Sequence, residues 1–94
     1  MRRAKRIENM TKYFCDCIEE SIIYKSGESE PGFANMVKCF NVMQFPSSEA
    51  RKAVQVELLR FGGYSIAFCH SYEAMQVAKR IKEMLRDYHM WMPY

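Results

Sequence analysis

The stretch Phe61–Tyr72, FGGYSIAFCHSY, constrains this chain more than any other. Gly62 and Gly63 follow a helical pattern, and glycine ends a helix at least cost because it takes positive φ without a Cβ clash. Beyond them Tyr64, Ile66, Phe68 and His70 alternate with Ser65, Ala67 and Cys69. Large side chains on one face and small ones on the other are the spacing of a strand. Ser71 suits the N-cap of a following helix, with Glu73 adding negative charge to its first turn. This reading puts Cys69 and His70 at a strand-to-helix junction. Backbone N–H groups converge at such a junction, so these two residues are the candidate reactive site.

The segments before it extend the same pattern. Ala34–Phe45, ANMVKCFNVMQF, reads as a strand with Val37, Cys39, Met43 and Phe45 on one face and Met36, Phe40 and Val42 on the other. Both faces are apolar, as in a strand covered on both sides, and Pro46 stops it. Ser47 or Ser48 caps a helix whose stripe is Ala50, Val54, Leu58 and Phe61. Strand, helix and strand in that order make a βαβ-like unit with a right-handed crossover.

Residues 2–24 read as a helix, with Ile7, Met10, Phe14, Cys17, Ile18 and Ser21 at three- and four-residue spacing; Tyr13–Ile18 also alternates as a strand does. Residues 25–32, KSGESEPG, read as a mobile loop. The last helix runs from Tyr72 to about Tyr88 on the stripe Ala74, Ala78, Ile81, Leu85 and Tyr88. The expected fold is therefore one α+β domain, residues 1–94, in the order α-β-α-β-α. Two strands are too few for a stable sheet, so either a strand has been missed or a second chain completes it. The apolar tail, residues 89–94 (HMWMPY), is expected to dock on the core or on a partner.

Ninety-four residues make a single domain with a modest core. The net charge of +3 is unevenly spread. Arg2, Arg3, Lys5, Arg6 and Lys12 face one acid, Glu8. Residues 13–50 are acidic, and the last helix is basic again. Two basic ends around an acidic middle point to a complementary partner or a second copy of the chain. No basic start leads into an apolar signal core, and no run approaches the about 18 apolar residues of a membrane span. The four cysteines, Cys15, Cys17, Cys39 and Cys69, are then expected to be reduced and the location cytoplasmic.

Catalytic signals are sparse. Cys15 and Cys17 stand in CxC spacing, which a helix turns to nearly opposite faces, so no metal site is assigned and the cysteines read as small core hydrophobes. No cofactor or phosphate-loop motif is present, no small-molecule substrate is indicated, and the chain reads as a non-enzyme. A Cys69-dependent enzyme is the third reading, although His70 next to it points to the opposite face of a strand. The segment GGYSIAFCHSYEAMQVAKRIKEML resembles the closing strand and helix of small protease-adaptor domains. That pattern is generic and no residue role is carried over from it.

The expected function is a small protein-binding module or stoichiometric regulator or inhibitor, of the kind found on mobile elements, acting through its surface as a homodimer or on another protein. Its expected partner-binding residues are Lys79, Lys82, Arg86, Trp91 and Tyr94, because Trp, Tyr and Arg dominate interface energetics. The alternative is nucleic-acid binding, with Arg2, Arg3, Lys5, Arg6 and Arg80 adding phosphate contacts.

Overall fold

A computed structural model describes residues 3–23, 30–67 and 72–91. The described chain is helical throughout: α1 (Arg3–Ile23), α2 (Glu30–Val42), α3 (Ser48–Ala67) and α4 (Tyr72–Asp87). Among the described residues there is no strand and no sheet. The α+β fold, the βαβ-like core and the likeness to a closing strand and helix are therefore corrected. With the sheet goes the reason for a second chain to complete it.

Each correction has a local cause. α2 occupies most of the segment read as a strand. Its apolar residues are so dense that period 2 and period 3.6 both fit, but Phe33, Met36, Val37, Phe40 and Met43 follow the helical period. The helix starts at Glu30, so Pro31 sits in the first turn, where a missing N–H is harmless. Glu30, Pro31 and Gly32 thus belong to α2 and not to the loop at 25–32; residues 24–29 lie outside the described part. α3 continues through Gly62 and Gly63 to Ala67. The glycines that read as a helix stop are interior to it. Phe68–Ser71, with Cys69 and His70, lie outside the described residues.

The helices associate as two pairs, α1 with α2 and α3 with α4, joined through α1 and α4. Phe14, Ile18, Met36, Val54, Phe61, Ile81 and Leu85 are buried between them. Burial of each such side chain contributes roughly 1.5–3 kcal/mol. Two buried hydroxyls on α1 bond within their own helix: Thr11 Oγ1 donates to the Ile7 carbonyl at 2.8 Å and Ser21 Oγ to the Cys17 carbonyl at 2.9 Å.

Helix ends are closed by specific groups. Ser47 Oγ accepts the Ala50 N–H at 3.1 Å and caps α3. Arg51, one turn into α3, closes the end of α2. Its Nη1 donates to the carbonyls of Phe40 (3.2 Å) and Met43 (3.4 Å), and its guanidinium lies 4.5 Å from the Phe40 ring centre. α4 ends in a Schellman turn: the His89 N–H reaches the Arg86 carbonyl at 2.9 Å and the Met90 N–H the Leu85 carbonyl at 3.0 Å. His89 takes the left-handed conformation this turn demands, with φ 58°. Met90 and Leu85 are both buried in the core.

Candidate functional site

α2 has a neighbour on each side. Against α1 the seam buries Phe14, Cys17, Cys39 and Phe40, with the two rings 6.2 Å apart, and leaves a cavity of about 430 Å³ where Asn9, Met10 and Tyr13 face Asn35, Lys38, Cys39 and Val42. Against α3 the contact is sparser. The two helices run antiparallel, with Phe33 of α2 against Gly62 of α3 at one end and Phe40 against Arg51 at the other. Between these contacts lies a groove of about 480 Å³. Its α2 wall is Phe33, Val37, Phe40 and Asn41; its α3 wall is Gln55, Leu58, Leu59, Gly62 and Gly63.

The composition of α3 produces this groove. Ala50, Val54, Leu58 and Phe61 face the core, and Val56 and Leu59 stand on the opposite side. Leu59 is 70% exposed and Val56 56%. A helix with one neighbour needs one apolar stripe, and α3 has two. The glycines divide the same way. A Cβ on Gly62 would lie 2.9 Å from Phe33 Cζ, so glycine there admits the ring, whereas a Cβ on Gly63 would meet nothing within 4 Å. Glycine inside a helix costs roughly 1 kcal/mol relative to alanine. Contacts among the described residues account for that cost at Gly62 and not at Gly63.

The expected partner-binding residues fall elsewhere. Lys79, Lys82, Glu83, Arg86 and Trp91 line another cavity, of about 450 Å³, beside α4. Trp91 is partly buried and packs against the core. Lys82 is paired with Glu19 of α1. Burial pulls its ammonium below the usual lysine range, against the opposing pull of Cys15 and Asp16. Arg80 Nε lies 3.4 Å from Glu57 of α3, which also holds Arg60 at 3.2 Å. Among the described residues Lys79 and Arg86 have no ion-pair partner. Lys5 and Arg6 are exposed on α1, about 20 Å along the helix from Glu19 at 1.5 Å per residue, so they do not join the Lys82 cluster. Arg3 opens α1. Arg2 and Tyr94 lie outside the described residues.

The described cysteines are free and buried. Burial pushes all three thiols up, Cys15 to about 12. A nucleophilic cysteine needs the opposite shift. Among the described residues no cluster of His, Cys, Asp and Glu is placed to hold a metal ion, and no helix is long and apolar enough to cross a membrane.

Sequence reasoning missed Val56 and Leu59. Their signal was present, as two aliphatic residues on the side of α3 otherwise given to Lys52, Gln55 and Arg60. No protein-family model, no curated protein and no solved structure matches this chain.

Proposed function

We propose that this protein is a helical protein-binding module whose binding face is the groove between α2 and α3. One observation carries the reading: the groove is walled by Val37, Phe40, Leu58 and Leu59 and continues onto the exposed side of α3 at Val56. Isolated exposed aliphatics need no explanation, but a groove with a contiguous apolar lip is the form of a docking surface. We favour this face over the surface Lys79, Lys82, Arg86, Trp91 and Tyr94, because Lys82 is engaged by Glu19 and Trp91 packs on its own core. The free buried thiols support a reducing compartment, the cytoplasm.

The test is photocrosslinking in the native cells, with a crosslinking residue at position 59 or, as comparison, at position 83 on α4. Protein adducts from position 59 that disappear in Gly63→Leu are the expected result. Adducts from position 83 alone would move the binding face to α4.

Nucleic-acid binding is the second reading, supported by Lys79 and Arg86 beside Trp91. Arg80 and Lys82 would have to leave Glu57 and Glu19 to contribute. Co-elution with nucleic acid that salt removes steeply is its signature.

A further inference from the structure

We infer that a second copy of this chain docks on the exposed face of α3, helix against helix and antiparallel about a two-fold axis. This names the partner of the face proposed above, whose lip is Val56 and Leu59, and rests on that face being the binding face.

Four exposed positions on α3 make one line. Lys52, Val56, Leu59 and Gly63 follow a spacing of four, three and four residues. That spacing keeps a seam on one side of a helix, as it does where a second helix packs along it. Val56 and Leu59 are the exposed aliphatic pair at its centre.

The line is symmetrical about the middle of the helix. α3 runs from Ser48 to Ala67, so its midpoint falls between Glu57 and Leu58. Val56 and Leu59 lie equally far on either side of that point, and Lys52 and Gly63 lie equally far beyond them. A two-fold contact is reciprocal: where one residue meets another, the reverse meeting also occurs. Antiparallel pairing about the midpoint meets that condition along the whole line. Val56 faces Leu59 of the second copy, and Lys52 faces Gly63 of the second copy. An unrelated helix would leave this symmetry without a cause.

The ends of the line are complementary in charge and shape. The last turn of α3 carries no basic residue, and the C-terminus of a helix bears partial negative charge. Lys52 has no ion-pair partner among the described residues. Its side chain leans toward the N-terminus of its own helix, which in an antiparallel pair is toward the C-terminus of the other. The other helix ends four residues past Gly63, about 6 Å at 1.5 Å per residue and within reach of a lysine. Gly63 leaves room for that passage, since a Cβ there meets none of the described residues within 4 Å. The helical cost of this glycine, unaccounted for within the chain, then has a cause. Parallel pairing would instead set the two Lys52 ammonium groups side by side and the two negative helix ends together.

One helix face makes a small interface, so the dimer is weak and dissociates on dilution. Sedimentation equilibrium of the full chain over a range of concentrations tests it, with circular dichroism to confirm folding. The expected result is a reversible monomer–dimer equilibrium. Leu59→Asp and Gly63→Leu should each raise its Kd about tenfold or more with the helical signal unchanged. Lys52→Glu, which reverses the charge set against each helix end, should raise it about threefold or more. Should Leu59→Asp unfold the chain, Val56→Asp carries the same expectation. A dimer that Leu59→Asp or Val56→Asp leaves intact places the contact elsewhere and overturns the inference. A dimer that those variants disperse but Lys52→Glu does not weaken overturns the antiparallel arrangement. A chain that stays monomeric at every concentration overturns the second copy. Adducts from position 59 to other proteins would then leave the groove reading standing, whereas no adducts from position 59 would take both.

Discussion

The two sides of α2 use similar residues to different ends. Toward α1, Met36, Cys39, Phe40 and Met43 are buried against an apolar helix face, with a cavity of about 430 Å³ left beside Cys39. Toward α3, Phe33 and Val37 meet a helix that touches them at its ends and leaves a groove between. The difference lies in the facing helix: α1 meets α2 with Phe14 and Cys17 along the seam, whereas α3 meets it through Gly62 and Arg51 at the two ends and keeps Leu59 exposed.

The sharpest way to break this contrast is to damage each seam in turn. Phe14→Ala in the α1 seam is expected to cost about 3–5 kcal/mol in denaturant unfolding, from lost burial and the cavity left behind. Leu59→Asp at the lip of the groove is expected to stay within about 0.5 kcal/mol of the parent. If Leu59→Asp destabilises as strongly as Phe14→Ala, the groove is part of the core.

Alkaline pH probes the buried thiols without mutation. The Cys15 thiol, raised from its ordinary 9.0 to about 12, keeps its proton in the fold where the unfolded chain has lost it. Its contribution is complete below pH 9 and is lost as the pH rises to 12, a fall on the order of 4 kcal/mol at about 1.4 kcal/mol per unit. Cys17 and Cys39 act in the same direction. Lys82 acts in the opposite one, because its lowered ammonium pKa is a penalty that fades as the pH rises through it. Urea unfolding at stepped pH should show stability declining above pH 9, and less steeply in Cys15→Ala. A flat profile would mean that the thiols are solvated.

The smallest effects sharpen the glycine comparison. Gly63→Ala is expected to raise stability by about 1 kcal/mol, since a Cβ there meets none of the described residues within 4 Å. Gly62→Ala makes the same helical gain but must push aside the Phe33 ring, so its stability should be no higher than the parent's. Equal gains at both positions would show that Phe33 moves freely and that the end of the groove is not held by it.

Much of the helical framework was legible in the sequence. The stripes of α1 and α4 carry one clear period, and Ser47 caps α3 as its position suggested. The fold class was not, for two physical reasons. The apolar residues of α2 are dense enough to satisfy both periods, so the alternation of a strand masked the helical spacing of Phe33, Met36, Val37, Phe40 and Met43. Gly62 and Gly63 looked like a stop because glycine's usual helical role is terminal, whereas Gly62 makes room for a ring from 29 positions earlier in the chain, a contact no local pattern contains. The groove stayed hidden for the same reason: Leu59 looks like one more aliphatic residue until its neighbours are known to be elsewhere.

The Schellman turn at the end of α4 sets where protection from solvent exchange should stop. The helix ends at Asp87, yet the amides of His89 and Met90 are both bonded back to carbonyls of the last turn. Slow amide exchange therefore extends past the helix to Met90, whose side chain is buried against the core. The chain reverses at His89 and lays Trp91 alongside Lys79, Lys82 and Arg86. An indole in that position makes the intrinsic fluorescence of the protein's single tryptophan a direct report on whether this last turn is in place.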